Sequence, residues 1–368
     1  MEDPVQTPTD LDVLRRRVQQ AIDGQIDGAT QSLAEIGEEI APLVSAVSGL
    51  LTGGKGLRAG FLYWGYRAAG GPDSDALVRL AASMEFFQGA ALLHDDVMDR
   101  SDTRRGMPSA HRAVASLHSQ RGWAGDADRF GEGTAILAGD LCLTWCDELY
   151  ATCGLPDEQL ARGRRLFDAM RTQLMGGQFL DLLESARGWD GLDLDARIAS
   201  ARKVIRFKSA KYTIEHPLLI GALVGGAPHE SLAPLSDYGL ALGEAFQLRD
   251  DLLGVFGDPE ATGKPAGDDL REGKRTVLVA HALDAASDGD RKSVESLLGR
   301  DDLDLLGIES IRRVLVDTGA VDRVESLIGE LARDARAALE RAGATGSYDA
   351  SALDVLGELV AVSTARHS

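Results

Sequence analysis

Gly89-Ala90-Ala91-Leu92-Leu93-His94-Asp95-Asp96-Val97-Met98-Asp99 is an apolar run that closes on three carboxylates. Upstream of it Leu77, Ala81, Met84, Gln88, Ala91 and Asp95 recur by steps of three and four, the period of one helix face. A second stretch repeats the arrangement: Leu242-Gly243-Glu244-Ala245-Phe246-Gln247-Leu248 leads to Asp250-Asp251-Leu252-Leu253-Gly254. Charge at the end of an apolar run is costly unless something binds it. On a helix, residues i and i+4 share a face and i+1 lies beside them, so Asp95, Asp96 and Asp99 crowd together. Crowded carboxylates raise one another's pKa.

Helical periodicity extends over almost the whole chain, and strand alternation is nearly absent. Helix-like segments run over 11–50, 54–69, 74–100, 133–152, 157–186, 193–226, 231–256, 274–286, 290–299, 307–318, 320–342 and 350–364. Breakers such as Gly53-Gly54, Gly70-Gly71-Pro72, Gly154-Leu155-Pro156 and Gly225-Gly226-Ala227-Pro228 separate them. The expected fold is all-α: a single large bundle over 11–368 with its site in a central cavity between helices, preceded by a loose tail over 1–10. Two irregular segments, Ser101 to Gly131 and Gly257 to Asp269, each follow an aspartate cluster and suit lids or substrate clamps. An acid-acid-x-x-acid string arises by chance roughly once or twice in so acidic a chain. Asp268-Asp269-Leu270-Arg271-Glu272 is read as such a string, in a loop.

Magnesium favours one or two carboxylates together with phosphate and water. Two carboxylate clusters facing each other across a bundle would hold several Mg²⁺ ions, and the ions would hold a diphosphate. The net charge of −19 disfavours nucleic acid as a partner. It also disfavours a polyanionic substrate unless metal ions and a local basic cluster reverse the sign. That cluster is present: Lys55 and Arg58 lie one turn apart after Gly53-Gly54, Arg104 and Arg105 follow Asp99, and Lys208, Lys211, Lys264 and Lys274 come later. Glycines and a helix start favour phosphate, and arginine forks suit its oxygens.

Cys142, Cys146 and Cys153 lack further ligands at metal spacing and read as reduced core thiols of a cytoplasmic protein. No transmembrane segment and no signal peptide are expected.

In order and spacing these motifs resemble the trans-type polyprenyl diphosphate synthases, among them farnesyl and geranylgeranyl diphosphate synthases. The matching pieces are Gly53-Gly54-Lys55-Gly56-Leu57-Arg58, Asp95 to Asp99 with Arg104-Arg105-Gly106, Gly176-Gly177-Gln178-Phe179-Leu180-Asp181 and Lys208-Ser209-Ala210. They continue with Phe246-Gln247-Leu248-Arg249-Asp250-Asp251, Thr262-Gly263-Lys264-Pro265 and Glu272-Gly273-Lys274-Arg275-Thr276. The resemblance implies a class I isoprenoid synthase bundle, a homodimer, and Mg²⁺ as cofactor. It implies condensation of isopentenyl diphosphate with an allylic diphosphate. Asp95, Asp96 and Asp99 would bind Mg²⁺ bridging to the allylic diphosphate, and Asp250 and Asp251 a further ion. Arg104, Lys208 and Lys264 would contact that diphosphate. Lys55, Arg58, Arg105 and Gln88 would hold isopentenyl diphosphate. Ser209 and Gln247 would line the reacting prenyl unit, with Gln178, Asp181 and Lys274 in support.

Gly56 stands where relatives carry Arg, Ser209 where they carry Thr, and Gly254 where many carry a third Asp. The second cluster then holds two carboxylates, with weaker metal binding unless Asp258 or water compensates. Two alternatives stand beside this reading: a non-catalytic subunit of a heteromeric synthase, which Gly254 keeps open, and a class I terpene cyclase, whose second metal motif would fall on Asp250, Gly254 and Asp258, although Gly254 has no side chain to ligate with and Pro259 breaks the helix. Product length is read by the same resemblance. Ala90 and Ala91, one turn before Asp95, leave the elongation path open, and Phe87, about 12 Å along the axis from Asp95, closes it. The expected product is geranylgeranyl diphosphate (C20), with farnesyl diphosphate or another length as the alternative.

Overall fold

The computed structural model describes residues 9–258 and 267–365. The expected tail lies outside these residues except at its end, where Thr9 opens α1 (Thr9–Leu33). Helices α2 (Ala41–Leu51), α3 (Leu57–Ala68) and α4 (Asp75–Met98) follow. Then come α5 (Ala110–Gln120), α6 (Ala127–Thr152), α7 (Asp157–Arg187), α8 (Leu194–Val204), α9 (His216–Gly225) and α10 (Ala233–Phe256). After the gap are α11 (Asp268–Arg271), α12 (Val277–Ala285), α13 (Asp288–Leu297), α14 (Leu305–Asp317), α15 (Ala320–Ala344) and α16 (Ala350–Thr364). The sole sheet among the described residues is a two-stranded hairpin, β1 (Thr103–Arg104) and β2 (Met107–Pro108).

α4 begins where the Ser74 hydroxyl accepts from Leu77 N at 3.1 Å, a side-chain cap that satisfies one orphan donor. It is apolar on nearly every side and correspondingly buried. By length and composition it could cross a membrane, yet 67% of that stretch is packed inside the protein, mainly against α6. One apolar cluster unites α1–α4, α6, α7, α9, the start of α10, the end of α15 and α16. A second joins α8, the end of α10, α11–α14 and the start of α15.

Three expectations need correction. The helix read over 11–50 is broken at Gly37, whose φ of 131° a helix does not accept. The segment from Ser101 to Gly131 is largely ordered, holding the hairpin and α5. Its turn, Arg105 and Gly106, has φ of 54° and 75°. Two central residues at positive φ are what a two-residue hairpin needs to match strand twist. The stretch read as one helix over 193–226 widens in its middle, Ile205–Glu215, into a π-helix. There α7 and α10 approach closely: a Cβ on Gly177 would fall 2.4 Å from Phe207 C, and one on Gly243 would fall 2.6 Å from Ala210 Cα. Such widening is rare and frequent at functional sites, and this segment carries Lys208 and Ser209.

Candidate active site

α4, α10, the π segment, the hairpin and the loop before α3 enclose a cavity of about 760 Å³. Asp95 lies on one wall and Asp250, Asp251, Asp269 and Lys274 also line it, so both aspartate clusters open onto one space. The cluster on α4 is divided in its roles. Asp95 Oδ1 accepts from Lys208 Nζ at 3.0 Å and from Gln178 Nε2 at 2.9 Å. Asp96 is 2% exposed and takes Arg104, with Nε at 2.9 Å from Oδ1. Asp99 caps α4. Neither Asp96 nor Asp99 is on the cavity lining.

The electrostatics separate these acids further. Burial works against ionised Asp95, but Lys208, Lys274 and Arg104 outweigh it and hold the carboxyl well below its usual range. Asp99 is pushed up to about 7, first by burial and then by the charge of Asp95. Asp251 is also pushed up to about 7; burial is the main cause and Asp269 and Asp250 add to it, against the hydrogen bond from Gln247 Nε2 at 2.8 Å. Burial disfavours the charged form of Lys274, yet Asp269, Glu272, Asp95 and Asp99 raise its pKa well above the usual value. Its ammonium answers carboxylates of both walls.

Among the described residues no three candidate ligands are already gathered around one point. The donor chemistry nonetheless fits magnesium. Asp99 and Asp251 are pushed up to about 7 by burial and by neighbouring carboxylates, and a divalent cation removes that penalty.

Two further groups of residues are assembled. Arg58 donates to Tyr212 Oη at 2.9 Å and to Thr213 Oγ1 at 2.8 Å, and its guanidinium lies 4.5 Å from the Tyr212 ring centre. Tyr212 donates to Gln88 Oε1 at 2.9 Å. Arg105 reaches the other way from Arg104 and donates to Leu50 O at 2.9 Å, beside Gly54. Lys55, Arg58, Arg105 and Gln88 all line the cavity. Elsewhere, Lys208 Nζ also holds Asp181 Oδ2 at 2.6 Å, and Ser209 and Gln247 face the cavity. Lys264, with the Thr262-Gly263-Lys264-Pro265 motif, lies outside the described residues. Asp258 is not on the cavity lining.

The chain-length residues sit further back. Phe87 is 1% exposed and packs edge-on behind Tyr212, with centroids 6.0 Å apart. Ala90 is buried, Ala91 half-buried, and none of the three reaches the cavity described above.

Sequence reasoning missed Glu85, Tyr212 and Asp269. Glu85 accepts from Ala59 N at 3.0 Å and so caps α3, whose N-cap Gly56 has no side chain to do it. Its signal was available: Glu85, Gln88, Leu92 and Asp95 recur by three, four and three and all line the cavity. Tyr212 is one turn beyond Lys208. Asp269, read as part of a loop, lies in α11 and is buried on the cavity wall.

The family model described as polyprenyl synthetase matches residues 41–314. A geranylfarnesyl diphosphate synthase from Aeropyrum pernix is 33% identical over 312 residues, 83% of this chain and 88% of that protein. A geranylgeranyl diphosphate synthase from Methanosarcina mazei is 30% identical over 276 residues, covering 75% of this chain and 76% of its own. The crystal structure of a geranylgeranyl pyrophosphate synthase from Corynebacterium glutamicum, complexed with isoprenyl diphosphate and magnesium, superposes with a TM-score of 0.88. It is 38% identical and covers 97% of this chain and 98% of its own.

Proposed function

Since the chain belongs to the polyprenyl synthetase family and is a short-chain prenyl diphosphate synthase, we propose that its cavity joins isopentenyl diphosphate to an allylic diphosphate and releases mainly the C20 product. The observation that carries this reading is the convergence of both aspartate clusters and two separate arginine sites on one cavity. Asp95, Asp99, Asp250 and Asp251 would hold magnesium, with Asp96 keeping Arg104 in place. Magnesium, when bound, supplies positive charge to the oxygens of the departing diphosphate.

Arg104, Lys208 and Lys274 stabilise that same charge as the allylic C–O bond opens. Lys264 is assigned to this diphosphate as well. Arg105, Arg58 and Lys55 hold isopentenyl diphosphate, and Gln88 is oriented by Tyr212. Ser209 and Gln247 flank the allylic unit. The double bond of isopentenyl diphosphate attacks the allylic carbon, and a proton then leaves to the released diphosphate. The walls keep water from the cation.

The exposed apolar side chains of α6 and α7, Ile136, Leu137, Met175, Phe179 and Leu182, support a homodimer formed through these helices. Three free, buried thiols support a cytoplasmic setting.

The test is product analysis of the purified chain with Mg²⁺, isopentenyl diphosphate and farnesyl diphosphate. Diphosphate release that needs both substrates, with C20 as the main product, is expected. Release from the allylic substrate alone indicates a cyclase, and no release indicates a non-catalytic subunit. Phe87→Ala should lengthen the product; an unchanged length removes Phe87 as the floor.

A further inference from the structure

We infer that Arg249 is a positioning residue for the second aspartate pair, locking the turn that carries Asp250 and Asp251 to the two last helices of the chain. This rests on reading Asp250 and Asp251 as metal ligands. Arg249 directly precedes the pair on α10, yet it is not on the cavity lining. Its side chain turns away from the cavity and is buried, 7% exposed. A buried guanidinium is costly unless it is paired and hydrogen-bonded. Here all three nitrogens are engaged. Nη1 and Nη2 donate to Glu325 Oε1 and Oε2 of α15, each at 2.7 Å, and Nε donates to Thr364 O at 3.2 Å. Thr364 ends α16, and its carbonyl is one of those that a helix end leaves unpaired.

These bonds fix a direction, which the apolar contacts of α10 do not. Leu248, Leu252 and Val255 pack in the second apolar cluster, and such contact has no preferred angle. A forked arginine–carboxylate pair has one. Tyr238, Leu242, Ala245 and Arg249 recur by four, three and four and are all buried. Tyr238 Oη donates to Leu356 O at 2.7 Å, so α16 is bonded to α10 at two levels and splints it. Arg312 of α14 secures the end of α10, donating from Nε to Val255 O at 2.8 Å. A carboxylate sits about 5–6 Å from its helix axis, so a roll of about 10° shifts it by about 1 Å. A misplacement of that size can cost on the order of a hundredfold in rate. The aspartate pair is thus aimed from behind, by the C-terminal end of the chain.

The experiment counts bound Mn²⁺ by electron paramagnetic resonance, in the presence of inorganic diphosphate, and measures KM for isopentenyl diphosphate and the melting temperature of each variant. The double variant Arg249→Met with Glu325→Leu removes both charges and keeps the volume, so it should melt close to the wild type. It should weaken the last-bound ion by about fivefold, less than the tenfold or more typical when a group bonded directly to a metal ligand is lost. KM for isopentenyl diphosphate should stay within about twofold. Arg249→Lys keeps the charge without the fork and should weaken the ion by about twofold to threefold. Asp250→Asn is the control and should weaken it too. A double-variant isotherm equal to wild type, with Asp250→Asn weakened, overturns this inference alone, since Arg249 then only holds helices together. Isotherms unchanged in both overturn the metal reading of the second pair and this inference with it. A KM that rises as much as the ion weakens also refutes it, because the whole cavity has then loosened. If the double variant does not fold, Arg249→Lys decides, and an isotherm equal to wild type refutes the inference.

Discussion

Tyr212 ties together residues that the chain spreads over α3, α4 and the π segment. Its hydroxyl lies between Arg58 and Gln88, 2.9 Å from each. Tyr212→Phe keeps the ring under Arg58 and behind it Phe87, and removes only the two hydrogen bonds. KM for isopentenyl diphosphate should rise about tenfold with kcat little changed, because ground-state positioning is lost rather than charge stabilisation. Steady-state kinetics with the allylic substrate saturating measures this; an unchanged KM sinks it. Residues of this kind explain what was legible. Asp95 and Asp250 announce themselves because charge ends an apolar run. Tyr212 and Glu85 do not, because a buried tyrosine or glutamate in a helix looks the same whether or not it faces a cavity. Asp269 hid in an acidic string that composition alone predicts.

Most helices could be read from the period of their apolar residues, since a core-facing stripe leaves its spacing in the chain. The π segment could not: its widening depends on how closely α7 and α10 approach, a tertiary fact with no local pattern. Close approach governs α3 and α9 as well. A Cβ on Gly221 would fall 1.9 Å from Leu62 O, and one on Gly65 would fall 2.1 Å from Leu218 O. Gly221→Ala should cost about 1–3 kcal/mol by forcing the two helices apart. Urea denaturation reads it, and a loss below about 0.5 kcal/mol would contradict the packing argument.

α9 also begins with a titratable liability. His216 is 2% exposed and is pushed down to about 3, by burial first and then by Lys211. Its folded pKa lies below its unfolded one, so its contribution to stability is present above about pH 6.5 and is lost as pH falls toward 3. Between about pH 7.5 and about pH 5 the wild type should lose up to about 2 kcal/mol more than His216→Gln. Equal losses in the two proteins would show that His216 is not kept neutral.

At the scale of the molecule, the chain carries −19 overall yet places Lys55, Arg58, Arg104, Arg105, Lys208 and Lys274 on one cavity, where carboxylates hold Arg104, Lys208 and Lys274. α10 and α15 contribute to both apolar clusters and so join them. Met175, Phe179 and Leu182 form an exposed apolar stripe on α7. Phe179, 63% exposed, is its most accessible member, and Phe179→Asp should shift sedimentation toward the mass of one 39.1 kDa chain. A wild-type chain that already sediments at that mass would exclude the dimer.

The hairpin between α4 and α5 carries a constraint of another kind. Arg104 and Arg105 are neighbours in the chain but serve opposite sides, one at Asp96 and the other at Leu50 O, because Arg104 ends β1 and Arg105 begins the two-residue turn. Surface loops ordinarily drift in length over evolutionary time, since an added residue costs little. Here one inserted or deleted residue would exchange the faces of the strand and send each guanidinium to the wrong side. The segment from Asp102 to Ser109, closed by Ser109 N on Asp102 O at 2.9 Å, is thus held to one length, a loop that inherits the fixed spacing of a core.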